Sequence, residues 1–319
     1  MIVLLESYGV IYDISQMSND ISLTTEINKV STLKLNNLKA NIGFYEGDCI
    51  SLIDDEADRK MFKGYIVSKK RDKAQNITIK AFDQLKELKN KETFTFKNKS
   101  ATQICKTIFD FCSLKYGQLS DTGFIIDKRK EDNVEMLDIA VNALDITLGN
   151  TNKLFIIYDD FGTLQLRNIE ELKTDLILGD MRLVDNFDYE TSIEKDVYNK
   201  IKLYRDNKET GKREYFIVYD SDSIKKWGLL QQTKKIDESM SAEKAEAQAE
   251  MMLKNSNKLK RSLKLSCIGD TRLRAGNGIG VVIDGIGDIN LSDMLLITKC
   301  THEWKGSIHT MDLELSIPR

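Results

Sequence analysis

Proline, histidine and cysteine are scarce in this sequence. The scarcity of proline bears on its linkers, and the scarcity of histidine and cysteine bears on metal sites and disulfides. The chain has one proline and two histidines in 319 residues, so extended proline-rich linkers are absent and its domains should abut. Its five cysteines are an odd number without metal-ligand spacing, which predicts reduced, buried thiols in a protein made in a cytosol. No apolar run approaches the roughly 18 residues that a membrane-spanning helix needs.

The sequence also lacks an excess of either charge. It has 47 Lys and Arg against 50 Asp and Glu, a formal net charge of −3. A protein that binds nucleic acid without regard to sequence neutralises phosphates with a basic surface, so we expect no specific nucleic-acid partner. The length allows two or three cores, and 41% hydrophobic with 30% charged residues is typical of a soluble globular protein.

The last part of the chain, residues 263–317, has the pattern of a small antiparallel β unit. Leu263, Leu265 and Cys267 alternate with their neighbours, which is the period of a half-buried strand. A glycine-punctuated strand follows, and a terminal hairpin pairs residues 294–302 with 308–315.

The N-terminal part repeats this order of strands. Residues 47–54 stand against residues 277–284, and each segment is an apolar strand closed by aspartate. The strand pair 62–68 and 77–83 matches the terminal hairpin. We prefer a duplicated β barrel, and two unrelated β meanders are the alternative. Two similar barrels in one chain are a way to make pseudo-symmetry.

Between these units the hydrophobic period changes from two to that of a helix. Ser100 and Gln103 predict a capping box at the start of one helix, which we expect to end at Gly117. A second helix is predicted to end at a glycine cap, Gly149. Its apolar face consists of Leu137, Ala140, Val141, Leu144 and Leu148. A hairpin over residues 154–166 completes an α/β module.

Beyond the module the β pattern resumes. A hairpin is predicted from residues 197–204 and 214–219, followed by a connector over residues 220–230. Ser241 then caps a helix that carries a narrow apolar stripe of Ala245, Ala249 and Met252. Small side chains on this stripe predict that the helix approaches a sheet closely.

These patterns predict an α+β fold that is mainly β. It comprises two similar small antiparallel β-barrel, or tube-like, domains with an interposed α/β module. The first barrel is predicted over residues 1–95 and the module over residues 96–190. The second barrel is predicted over residues 191–319 and includes a connector helix at about residues 241–255.

No segment has the pattern of a catalytic, cofactor or metal site. Cys300 and His302 alternate on one strand without a nucleophile elbow, so we interpret the histidines as half-exposed strand residues. With His309 they supply only three zinc ligands. The run Asp54–Glu56 is interpreted as a solvated loop, and residues 276–280 as turn glycines, because a phosphate loop needs a helix after it. We therefore predict no enzyme, no cofactor and no metal.

Three parts of the sequence together carry a family resemblance. The first is the strand pair within residues 62–83, which leads to the Ser100-capped helix. The second is Val197-Tyr198-Asn199-Lys200-Ile201 with the connector 222–228 and the alanine-rich helix. The third is residues 263–276 with the terminal hairpin. In this pattern, over essentially the whole length, the chain resembles the baseplate hub proteins of contractile phage tails, in the prophage and tail-like bacteriocin branch (late control protein D-like).

The resemblance implies a homotrimer in which each subunit contributes two tube-like barrels. Three copies then form a pseudo-sixfold ring with a central channel, which lets a hexameric tail tube sit on a trimeric spike. The implied partners are the tail tube protein, the spike protein, other baseplate proteins, and the tape-measure protein through the lumen. The implied place is the baseplate of a virion or tail-like particle, assembled in the bacterial host cytoplasm.

Two other functions stay open on the sequence. A tail-associated cell-wall hydrolase with Asp and Glu catalysts is the alternative, because 50 carboxylates allow a glycosidase pair. A nucleic-acid-binding β protein is disfavoured by the charge balance. The sequence does not distinguish a DNA-carrying phage from a headless bacteriocin.

Overall fold

A computed structural model of the chain describes residues 1–316 except 19, 39–42, 180–183, 208–210, 239 and 287–288. Most of its elements are strands in antiparallel sheets, so the α+β, mainly β fold class is confirmed. The chain divides into two compact units, Met1–Asp188 with Leu263–Arg319, and Tyr189–Ser262. Among the described residues no helix is long and apolar enough to cross a membrane.

The first unit begins with seven strands. They are β1 (Ile2–Ser7), β2 (Val10–Asp13), β3 (Asp20–Glu26), β4 (Thr32–Leu38), β5 (Cys49–Asp54), β6 (Arg59–Arg71) and β7 (Ile77–Phe82). They pair in the order β3-β4-β7-β6-β5-β1-β2. Alternate side chains of these strands are buried in one shared core, which includes Leu5, Leu23, Leu35, Leu52, Ile66 and Ile79. The period-two pattern places these side chains on one face of each strand.

The interposed module follows a 3-10 helix at Gln84–Lys89. Its elements are β8 (Lys91–Ser100), α1 (Ala101–Phe111), β9 (Tyr116–Leu119), β10 (Ile125–Glu135), α2 (Met136–Thr151), β11 (Phe155–Asp159) and β12 (Leu164–Asn168). β10 pairs with β8, and β11, β12 and β9 form a second small sheet. Both helices bury one face in a common core with these strands, which includes Ile104, Ile108, Phe109, Ile139, Ala140 and Leu144.

The predicted capping box of α1 is confirmed, whereas both predicted helix ends are wrong. The Ser100 hydroxyl accepts from the Gln103 backbone N–H, and the Gln103 side chain accepts from Ser100. α1 ends at Phe111, and Gly117 lies in β9. α2 continues through Gly149 to Asn152, which has a left-handed conformation with φ of 55°. Asparagine tolerates this conformation and can replace glycine as a cap.

After a second 3-10 helix at Ile169–Leu172 come β13 (Lys173–Gly179) and β14 (Val184–Ser192). The second compact unit then contains β15 (Lys200–Asp206), β16 (Arg213–Tyr219), α3 (Ser221–Trp227), β17 (Gln231–Lys235) and α4 (Ala242–Ser256). The predicted hairpin is β15 with β16. The segment predicted as a connector over residues 220–230 contains α3, and β17, which follows it, pairs parallel to β15.

The alanine stripe of α4 behaves as the sequence predicts. The Ser241 hydroxyl caps the helix by accepting from the Lys244 backbone N–H. Ala245 and Ala249 are fully buried in one core with Ile201 and Leu203 of β15. Small side chains at these positions let the helix approach the sheet.

Four strands of the first unit complete the chain: β18 (Lys260–Ile268), β19 (Gly278–Ile286), β20 (Ile289–Lys305) and β21 (Ile308–Ser316). Their pairing gives the order β19-β20-β21-β18-β14, and the N-terminal strands have the order β5-β6-β7-β4-β3. Each central long strand has a register shift at the same place, between Ile66 and Ser68 in β6 and between Ile297 and Lys299 in β20. The predicted repetition of strand order is therefore present.

The domain boundaries at residues 95 and 190 stay a prediction. The structure groups residues by contacts within the chain, and Tyr189–Ser262 form a compact unit of their own. Residue 319, where the second barrel was predicted to end, lies outside the described residues.

Ser100→Ala should lower the free energy of unfolding of α1 by about 1 kcal/mol, because the Gln103 backbone N–H loses its hydroxyl acceptor. Native-state hydrogen exchange at Ile104–Phe109 measures this loss. Lys106→Ala is the matched control, because Lys106 is exposed on the same helix and takes no part in the cap. Equal exchange rates in the two variants would contradict the prediction.

Candidate functional site

The two repeated sets of strands meet edge to edge where β20 pairs with β3. Seven consecutive antiparallel residue pairs join them, from Lys299 opposite Glu26 to Lys305 opposite Asp20. Opposite charges therefore face each other at both ends of the junction, and each cross-strand pair of this kind contributes about 0.2–1 kcal/mol. Thirteen strands form one sheet as a result.

Side chains at this junction also tie each set of strands to the other. Trp304 of β20 is 6% exposed and packs in the core of the N-terminal strands. Thr25 of β3 is buried, and its hydroxyl accepts from the Ala275 backbone N–H at 3.0 Å. The two halves thus share core and hydrogen bonds as well as a strand ladder.

One face of the joined sheet is polar across eight strands. Register partners lie on the same face of a sheet, which places Thr301 beside Thr24 and Lys34 beside both Ser22 and Lys80. The side chains of this polar face, in strand order from β14 to β6, are Asn186, Asp188, Lys264, Ser266, Asp312, Glu314, Lys299, Thr301, Thr24, Ser22, Lys34, Lys80, Ser68 and Lys70. Acidic and basic groups are interspersed from β14 to β20, whereas the charged groups from β4 to β6 are the lysines Lys34, Lys80 and Lys70.

Several contacts fix this polar face. The hydroxyls of Thr24 and Thr301 lie 3.2 Å apart, and Lys299 forms an ion pair with Glu314 at 3.2 Å. Ser266 donates to Asp312 at 2.6 Å. An open cavity of about 360 Å³ lies on the face where β14, β18, β20 and β21 meet. The opposite side of the same strands supplies the cores, so the sheet separates a polar surface from an apolar interior.

The two histidines are brought together beside this junction. His302 Nε2 donates to the Leu273 carbonyl at 2.8 Å, which leaves His302 Nδ1 to accept from His309 Nε2 at 3.0 Å. The Cys300 Sγ lies 3.3 Å from His302 Nε2. Trp304 stacks on both imidazole rings.

The prediction of half-exposed histidines is wrong for His302, which is 1% exposed. Burial lowers the pKa of His302 to about 4, and it also lowers the pKa of His309. Burial raises the pKa of the Cys300 thiol. Thiol and imidazoles are therefore neutral at pH 7, so the cluster presents no thiolate nucleophile. The His302 imidazole provides the hydrogen-bond partner of the Leu273 carbonyl, which lies in the segment between β18 and β19.

The other candidate motifs also form structural turns. Asp54 accepts from the Thr271 hydroxyl at 2.6 Å and from the Glu56 backbone N–H, so its oxygens shape the loop after β5. Gly276 has φ of +98°, and a Cβ there would overlap Cδ1 of Ile156. Among the residues that the structure describes, no group of three His, Cys, Asp or Glu could hold a metal ion.

His302→Gln should reduce the acid sensitivity of the protein. The pKa of His302 is about 4 when folded and about 6.5 when unfolded, so the unfolded state takes up the proton first as the pH falls. Stability is full above pH 6.5 and is lost toward pH 4. From pH 7 to pH 5 the wild type should lose about 2 kcal/mol more than the variant, in which a glutamine amide can still donate to Leu273. Urea unfolding at both pH values measures this, and parallel losses would contradict it.

Comparison with known proteins gives a matching family model and two relatives, one of which belongs to a phage-like element. The family model described as YqbQ-like matches residues 21–316. Two Bacillus subtilis (strain 168) proteins are similar over 260 residues, which are 81% of this chain and 78% of each relative: the uncharacterized protein YqbQ at 26% identity and the phage-like element PBSX protein XkdQ at 25% identity.

Solved structures share the fold. The 43 kDa tail protein of prophage MuSo2 from Shewanella oneidensis superposes with a TM-score of 0.72 at 15% identity, over 99% of this chain and 98% of that one. The E. coli c3393 protein, a component of the type VI secretion system described as similar to the T4 tail proteins gp27 and gp5, superposes with a TM-score of 0.55 at 11% identity, over 94% of this chain and 73% of that one. These similarities confirm the resemblance to tail proteins that the sequence carries, and the family model assigns the chain to the YqbQ-like family.

Proposed function

We propose that this protein is the structural hub of a contractile tail or tail-like bacteriocin baseplate. The observation that carries the proposal is the β3–β20 junction, which sets two strand arrays of the same order edge to edge in one chain. Three copies of such a chain present six similar arrays. A threefold object can then match a sixfold tail tube on one side and a threefold spike on the other.

The relatives support a structural role in a tail. One is a prophage tail protein, one belongs to a phage-like element, and one is a secretion-system component likened to phage tail proteins. The partners proposed here are accordingly the tail tube protein, the spike protein and other baseplate proteins. The place proposed is the baseplate of a virion or tail-like particle that assembles in the bacterial host cytoplasm.

The polar face of the sheet is proposed as the lining of the channel. Acidic and basic side chains alternate on it from Asp188 of β14 to Lys299 of β20, and the charged groups farther on are the lysines Lys34, Lys80 and Lys70. Where the two signs of charge alternate, the lining does not retain phosphates or acidic peptide segments. This mixed part of the lining would let the tape-measure protein, and DNA where the particle carries it, pass.

Sheets whose edge strands are all paired also favour a single mode of assembly. A free edge strand invites pairing with any other strand, whereas pairing within the ring covers it. The proposal therefore treats the junctions between strand arrays as the elements that determine the assembly.

Imaging tests the proposal directly. Cryo-electron microscopy of the tail particle that contains this chain should show three copies in one ring at the tube–spike boundary, with six similar β arrays around the channel. A copy number other than three, or copies placed outside the channel wall, would contradict the hub.

The hub proposal includes the absence of cell-wall hydrolysis. Purified protein incubated with peptidoglycan should release no soluble fragments above buffer, because Asp83 and Asp159, the carboxyls whose pKa is raised by burial, are buried and accept hydrogen bonds from backbone N–H groups of turns. A muramidase of known activity is the positive control. Fragment release that is lost on substituting one carboxylate of this chain would favour the hydrolase instead.

A further inference from the structure

The second half of β6 has an edge that is only partly covered. β7 pairs along one edge of β6 as far as Arg71. β5 pairs along the other edge only up to Tyr65, after which Gly47 and Asp48 bond the backbone of Ile66. Beyond this point, over Ser68–Arg71, no strand in the described part of the chain pairs with that edge. A strand edge without a strand partner can accept an added strand.

The repeated strand order shows what kind of element belongs on this edge. In β20, the counterpart of β6, β19 covers the edge up to Leu296, and β3 covers the same edge from Lys299 onward. The change of partner occurs at the register shift before Lys299, and β6 has the matching shift before Ser68. The element that covers β20 is the end strand of the other array, β3.

The counterpart of β3 in the second array is β14. In the two strand orders, β3 and β14 occupy the same end position, next to β4 and β18 respectively. β14 pairs with β18 and, among the described strands, with no other. Residues 185–188 are all exposed, including Phe187 at 43%. Among its described strands, the chain therefore has an end strand with one partner only, β14, and a strand edge without a partner, that of β6 over Ser68–Arg71.

The charges of the two elements are complementary. β14 is acidic, with the exposed side chains Asp185, Asp188 and Glu190. The uncovered part of β6 is basic, with the exposed side chains Lys69, Lys70 and Arg71. The junction inside the chain has the same polarity, because the acids Asp20 and Glu26 of β3 lie opposite the lysines Lys305 and Lys299 of β20.

We infer that β14 of one copy adds as a strand to the Ser68–Arg71 edge of β6 in a second copy. This inference rests on the proposed hub and names the strands through which its subunits join. The contact uses two different surfaces, so it is head-to-tail and closes into a ring when the rotation per copy permits. Main-chain hydrogen bonds provide affinity in strand addition, and the opposite charges select the partner and register.

Charge reversal on the two strands tests the inference with the purified full-length protein. One variant is Lys70→Glu with Arg71→Glu, a second is Asp185→Lys with Asp188→Lys, and a third combines all four changes. The control is Lys128→Glu with Lys130→Glu, two exposed lysines on β10 in the interposed module. Sedimentation velocity over a concentration series gives the association constant of each.

The inference predicts that the wild type and the control form the same trimer. Each two-residue reversal should weaken association by about a hundredfold or more, because like charges then face each other, and the four-residue variant should recover the trimer. Recovery also shows that the reversed strands fold. A wild-type trimer that neither reversal weakens, or a four-residue variant that stays dissociated, would overturn the strand pairing and leave the hub proposal standing. A monomeric wild type at every concentration would overturn the pairing as well, and imaging of the tail particle would then decide the hub separately.

Discussion

The structure depends on the antiparallel ladder between β3 and β20, which pairs residues that lie more than 270 positions apart in the chain. Its seven residue pairs convert two similar strand arrays into one sheet, and Trp304 extends the contact into the N-terminal core. Without this ladder each array would keep an exposed edge, and the chain would carry two unrelated surfaces. With this ladder, the polar face is continuous across both arrays. The two arrays with the same strand order then lie side by side in one sheet.

The β3–β20 ladder also explains the structural role of Cys300, His302 and His309, which are candidate catalytic or zinc-binding residues by their type. The Cys300–His302–His309 cluster lies beside the ladder, where burial keeps it neutral and the Leu273 carbonyl takes the His302 proton donor. These groups form hydrogen bonds with one another and with the Leu273 carbonyl, as buried polar groups generally require. The polar residues proposed to line the channel lie on the opposite side of the strands, where alternation places them.

Local structure followed from the sequence where a local rule decides it. The Ser100 capping box, the alanine stripe of α4 and the repeated strand order were all predicted and are present. The predicted end of α2 at Gly149 is wrong because Asn152, in the left-handed conformation, caps the helix in place of a glycine. The burial of His302 and the separate sheet of β15, β16 and β17 were missed because they depend on contacts with distant segments, which no period reveals.

A disulfide across the ladder tests the central claim, that the first and last thirds of one chain lie edge to edge. Thr24 and Thr301 are directly opposed, so Thr24→Cys with Thr301→Cys should form a bond within one chain under mild oxidation. Peptide mapping should find the two introduced thiols linked in a monomer-sized species, whereas Thr24→Cys with Lys34→Ala should stay reduced at position 24. Free thiols in the double-cysteine protein, or a link that forms only between chains, would contradict the account.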